Sequence, residues 1–251
     1  MSSAIQSKEP EEGAKDEPGK RRQRARWIAT AALLLHAIVV FNYAGLPADL
    51  ALPLFTALAA TTLTIVFLLL LLCSQQPADY LGIAIYPISA LSILAIHYKT
   101  GDAQVVGEAI QIHVFLSLLS YAVLALAASQ AVLVSIQRRK LSKHKPGGFM
   151  RLLPPLDSTE DLLFTLLTTG FALLTLSLVS GFFYLDNMFA QHLAHKTVLS
   201  CIGWTIFAVL IFGRWKFGWR GRKAVTWTLA GFATLILAYF GSKIVLEILL
   251  K

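Results

Sequence analysis

IQIHVFLSLLSYAVLALAA, residues 110–128, decides the fold. The stretch holds no Asp, Glu, Lys or Arg, and as a helix it extends about 28 Å at 1.5 Å per residue. That matches the roughly 30 Å of hydrocarbon that a membrane-crossing helix must cover. Apolar runs of similar length recur along the 251 residues, of which 56% are hydrophobic and 14% charged. Mean hydropathy is +0.65. A soluble domain has about 25% charged residues, so this chain has too little polar surface to face water all round. The reading is an all-α, polytopic membrane helix bundle.

Seven spans are expected, near 27–43, 50–72, 80–97, 112–136, 162–184, 197–212 and 224–250. The net charge of +8 is carried in blocks between them: KRRQRAR at 20–26, QRRKLSKHK at 137–145 with Arg151, and GRWKFGWRGRK at 213–223. The alternate loops hold almost no basic residues, with Lys99 and Lys196 the exceptions. Blocks of this kind are the mark of cytoplasmic loops rather than of a nucleic-acid surface. They place the N-terminus in the cytoplasm and the C-terminus outside. Residues 1–26 read as a disordered tail of mixed charge and 27–251 as the membrane domain, with no cleavable signal before the first span. In the inner loop, Pro and Gly mark turns, and Asp157 or Ser158 is positioned to cap the next helix. Trp215 and Trp219 suit an interfacial belt.

Cys73 and Cys201 fall at different depths, so no disulfide is expected. No C-x-x-C-H is present for covalent haem attachment, and no phosphate loop, H-E-x-x-H or G-x-S-x-G occurs. No acidic residue lies mid-span, which tells against a proton- or cation-coupled transporter.

The histidines carry the chemistry on offer. His144 is a solvated loop residue in the basic segment, and His36 lies in the middle of the first span. His97, His113, His192 and His195 all fall at the outward surface. Neutral imidazole there either sits in the headgroup zone or ligates a metal or haem iron. His113 shares a helix face with Ser117 and Ser120, at i+4 and i+7. Such a face reads equally as close helix packing or as the wall of a ligand site. Lys243 and Glu247, at i and i+4 in the last span, form a mutual ion pair, or Lys243 meets an anion such as a propionate.

Residues 113–134 (HVFLSLLSYAVLALAASQAVLV), 156–184, 195–225 and 229–243 (LAGFATLILAYFGSK) together resemble the membrane cytochrome c assembly family. The likeness is to the CcsA- and CcmC-like haem-handling proteins and, within the family, to the YpjD/HemX-type branch. It is strong over 110–251 and weaker over 25–98, where LLHAIVV carries it. The resemblance implies a multi-pass protein of the bacterial inner (cytoplasmic) membrane with haem as cofactor and His113 as external axial ligand. The tryptophan-rich outer loop of haem-handling members is replaced here by LDNMFAQHLAHKTVLS, and Phe212 stands where they carry a histidine. Their second external histidine would follow the last residue, Lys251. His195 or His192 is then the candidate replacement ligand.

The expected function is haem binding and handling in cytochrome c biogenesis, without enzymatic turnover. Cytochrome c maturation components and the lipid bilayer are the partners. Two other readings stand beside it. One is a small transporter or ion-efflux component. The other is a HemX-like regulator that docks a haem-synthesis enzyme on the basic inner loops 137–161 and 213–223.

Overall fold

The computed structural model describes residues 18–44, 53–98, 108–143, 153–184 and 191–241. Among these residues seven α-helices follow one another: α1 Pro18–Ala44, α2 Leu54–Gln75, α3 Gly82–Ala95, α4 Glu108–Ser142, α5 Leu156–Tyr184, α6 Gln191–Phe217 and α7 Arg222–Ile236. A 3₁₀ turn, Asp79–Leu81, opens α3, and a turn of π-helix, Leu237–Gly241, continues α7. No strand occurs among the described residues. Six of the helices are long and apolar enough to cross a bilayer. The shorter α3 carries Pro87 within it. A helical bundle answers the demand of hydrocarbon that every backbone N–H and C=O be paired inside its own segment.

Several helices outrun the apolar runs that announced them. α1 starts at Pro18, so the basic stretch expected in the disordered tail is helical from there onward. Residues 1–17 lie outside the described residues. α4 runs through Arg139 and Lys140, and α6 through Arg214 and Lys216. Hydropathy registers only the part of a helix in hydrocarbon, whereas long basic side chains let it continue into the headgroup layer. α5 begins at Leu156 behind Pro154 and Pro155, and Thr159 N donates to Pro155 O at 3.1 Å. Asp157 therefore lies in the first turn and Ser158 within the helix, neither in the expected capping position.

α4 is the central helix. It pairs most extensively with the antiparallel α5 and also packs on α2 and α7. Leu124, Ala127, Ala131 and Val134 of α4 are wholly buried with Leu163 and Leu167 of α5. Polar side chains are threaded through this seam. Ser120 Oγ donates to Gly170 O (3.1 Å) and Gln130 Nε2 to Thr159 O (2.8 Å). Thr159 Oγ1 donates to Gln137 Oε1 (2.9 Å), and Gln137 Nε2 to Pro154 O (2.8 Å).

The ion pairs between described residues gather at one end of the bundle. Glu160, 2% exposed, accepts from Arg138 Nη1 at 3.0 Å and meets Arg220 Nε at 3.6 Å. Asp161 pairs with Arg214 and Arg220, each at 3.2 Å. Asp79, in the turn before α3, binds both Arg22 and Arg26, and Arg26 also reaches Cys73 O. Partial burial raises the Asp79 carboxyl, but the two guanidinium groups outweigh it and hold its pKa below the ordinary carboxylate range. Gly221 closes the α6–α7 turn at φ 62°, and a Cβ there would lie 2.5 Å from Arg138 Cζ. Only glycine fits both the backbone and the arginine laid against it. By the positive-inside rule this end is cytoplasmic. Trp215 is 81% exposed, as an interfacial residue would be. Trp219 instead packs against Phe217 and Trp227, with ring centroids 6.4 and 5.7 Å apart.

Because Glu160 is buried and shared by two arginines, its loss leaves both without their inner partner. Glu160→Ala should destabilise the protein by about 2 kcal/mol, between the values for exposed and for fully buried pairs. Asp161→Ala, at an exposed carboxylate, should leave stability nearly unchanged. Tryptophan-fluorescence unfolding in detergent measures both.

Candidate functional site

The end of the bundle away from the arginines holds His113, in the second turn of α4. Its half-buried ring lies against the last two turns of α5. Nδ1 is 2.9 Å from the Ser177 carbonyl oxygen and 3.2 Å from Ser180 Oγ. A carbonyl cannot donate, so Nδ1 carries the proton and gives it to Ser177 O. Ser180 Oγ itself donates to Ser177 O at 2.8 Å.

This fixes the tautomer and leaves a lone pair on Nε2. Ser117 Oγ, 3.5 Å from Nε2, is at the limit of a hydrogen bond, and its single proton goes to His113 O at 2.7 Å. Ser117 and Ser177 then join hydroxyl to hydroxyl at 2.6 Å. Gly181 makes the room: a Cβ there would sit 3.0 Å from His113 Cε1 and 3.2 Å from Nδ1.

Of the face expected from the sequence, Ser117 therefore belongs to the site and Ser120 to the packing seam. Ser177, Ser180 and Gly181 were missed by the sequence reading. Their signal was present as small residues at i, i+3 and i+4 at the end of an apolar helix, a pattern that invites close approach by a neighbour.

His36 is 2% exposed and sits among α1, α2 and α3, away from His113. Its Nδ1 is 3.1 Å from Ser89 Oγ, while Nε2 has no hydrogen-bond partner among the described residues. Ser92 Oγ donates to Ser89 O (2.7 Å) and meets Thr62 Oγ1 at 2.6 Å. His97, exposed beyond the end of α3, packs on Tyr43 with ring centroids 5.4 Å apart. The side chains of His192 and His195, and residues His144, Lys243 and Glu247, lie outside the described residues. Cys73 is buried and Cys201 exposed, both as free thiols. Among the described residues no three His, Cys, Asp or Glu side chains converge as a metal site would require.

The fold and this site define a multi-pass helical membrane protein with a histidine held in one tautomer near a helix terminus. The profile of the family described as Cytochrome C assembly protein matches residues 24–250, and the chain belongs to that family. It is similar to the inner membrane protein YpjD of Escherichia coli, 41% identical over 55% of this chain and 52% of that protein. An uncharacterized 28.8 kDa protein of Azospirillum brasilense is 32% identical over 56% of this chain and 53% of its own length. The cytochrome c biogenesis protein CcsA of Prochlorococcus marinus is 24% identical over 85% of this chain and 78% of its own. The chain thus spans about half the length of the first two relatives. No solved structure matches.

The Ser177 carbonyl makes the tautomer testable. In protein labelled with ¹⁵N-histidine, the neutral His113 ring should show Nδ1 protonated. Gly181→Val should displace the ring and disturb that signal, while Ser180→Ala, which leaves the carbonyl in place, should preserve it.

Proposed function

We propose that this chain binds haem at the end of the bundle opposite the arginines, with His113 Nε2 as an axial ligand to the iron. It acts there as a haem-handling component of cytochrome c assembly in a bacterial cytoplasmic membrane. One observation carries the reading: Nδ1–H is committed to the Ser177 carbonyl, so the free lone pair is on Nε2. A histidine that ligates a metal is characteristically held in this way, and the hydrogen bond also raises its basicity.

The donor set fits the group. Haem supplies a redox-active iron and a flat apolar ring with two anionic propionates, and a neutral imidazole is its common protein ligand. Within the chain, Ser177 holds the imidazole in orientation, Gly181 gives it clearance, and Ser117 occupies the space beside Nε2 without donating to it. Ile112, Phe115, Phe182 and Phe183 are exposed near this end and offer apolar surface to a macrocycle or to lipid.

His195 or His192 would supply a further haem ligand in this reading, and Lys243 would meet a propionate. The work is binding and presentation rather than turnover, with cytochrome c maturation components as partners. The similarity to CcsA, named as a cytochrome c biogenesis protein, supports that assignment.

Haem titration of the purified protein tests it. The wild type should develop a Soret band, His113→Ala should lose most of it, and His36→Ala should keep it. Equal bands in the wild type and His113→Ala would overturn the role of His113.

A further inference from the structure

α4 and α7 share a crevice that changes character along its length. At the arginine end a cavity of about 400 Å³ is lined by Ser135, Arg138, Arg139 and Ser142 of α4 with Arg222 and Val225 of α7. Towards the other end lies an apolar trough of about 750 Å³. Ala125, Ser129 and Val132 of α4 line it, opposite Leu229, Phe232 and Ile236 of α7, with α2 and α3 forming a further wall.

The two spaces lie on continuous helix faces. On α4, positions 125, 129, 132, 135, 139 and 142 follow one another at intervals of three and four, as do 222, 225, 229, 232 and 236 on α7. The basic mouth, towards the headgroup layer, and the apolar trough, in the hydrocarbon zone, therefore follow one another along the same pair of helix faces.

The mouth is electropositive and partly rigid. Arg138 lies against Gly221 and is tied to Glu160. Arg139 and Arg222 are exposed, with no acidic partner among the described residues. The first turn of α7 has no acidic residue and no side-chain cap.

The trough has the opposite chemistry. Its hydroxyls are spent on protein partners: Thr61 Oγ1 donates to Ala57 O at 2.7 Å, Ser129 Oγ to Ala125 O at 2.9 Å and Tyr121 OH across to Leu235 O at 3.1 Å, and Thr62 Oγ1 pairs with Ser92 Oγ at 2.6 Å. The occupant that satisfies both parts carries a phosphate on a hydrocarbon tail.

We propose that the α4–α7 crevice is a binding site for one anionic phospholipid of the cytoplasmic leaflet, its phosphate between Arg139 and Arg222 and an acyl chain along the trough. Basic pockets between membrane helices on this side of the bilayer are suited to such headgroups. The site is independent of His113 and of haem.

Native mass spectrometry of the full-length protein in detergent, with phosphatidylglycerol and phosphatidylcholine supplied equally, tests it. The wild type should retain one phosphatidylglycerol and little phosphatidylcholine. The double variant Arg139→Gln/Arg222→Gln, at exposed positions, should weaken retention about 30-fold, at roughly fivefold per arginine. Val132→Trp, which fills the trough and leaves the arginines in place, should also weaken it. Millimolar inorganic phosphate should not compete. Equal retention of the two lipids, or unchanged retention in the double variant, would overturn the proposal. Displacement by phosphate together with an unaffected Val132→Trp would reassign the mouth to free anions.

Discussion

In hydrocarbon, helices gain little from burying apolar side chains against one another, because lipid offers the same contact. Close approach and interhelical hydrogen bonding must hold the bundle instead, and here they concentrate in the antiparallel α4–α5 seam. Ser117, Ser120, Gln130 and Gln137 on α4 all find oxygens on α5 or in the turn before it. Small side chains and glycines between them let the backbones come together. The seam also sets the two ends of the molecule. At one end it delivers Arg138 to Glu160, and at the other it lays His113 against the Ser177 carbonyl.

The two ends are chemically distinct. The arginine end is crosslinked by charge, with Glu160 and Asp161 shared among arginines of α4, α6 and the α6–α7 turn. That arrangement fixes the inner ends of four helices and leaves Arg139 and Arg222 to face the headgroup layer. At the histidine end, among the described residues, His113 is held by neutral hydrogen-bonding groups, the Ser177 carbonyl and the Ser180 hydroxyl.

Much of the fold could be read from the chain. Charge-free runs of about 20 residues announce spans, because the thickness of the bilayer imposes that length. Helix ends were less legible, since α1 and α4 continue past the apolar zone on arginines that hydropathy counts as loop. The turn before α3 was also hidden, because the value of Asp79 depends on Arg22 and Arg26 more than fifty positions away. For the site, the sequence offered His113 and Ser117 on one face. It did not reveal that Ser177 contributes its carbonyl rather than its hydroxyl to the ring. Backbone acceptors carry no sequence signature, and pairing of α4 with α5 was needed to find this one. His36 shows the converse. It reads as a candidate ligand, but folding buries it among Ser89, Ser92 and Thr62, in a separate part of the bundle.

Chemical rescue tests most directly whether His113 is a ligand or only a packing residue. His113→Gly opens a space of imidazole size beside Gly181 and leaves the Ser177 carbonyl in place. If Nε2 ligates the iron, this variant should bind haem weakly, and added imidazole should restore the wild-type Soret spectrum. Haem bound equally well by His113→Gly without imidazole, and a spectrum indifferent to its addition, would contradict the account.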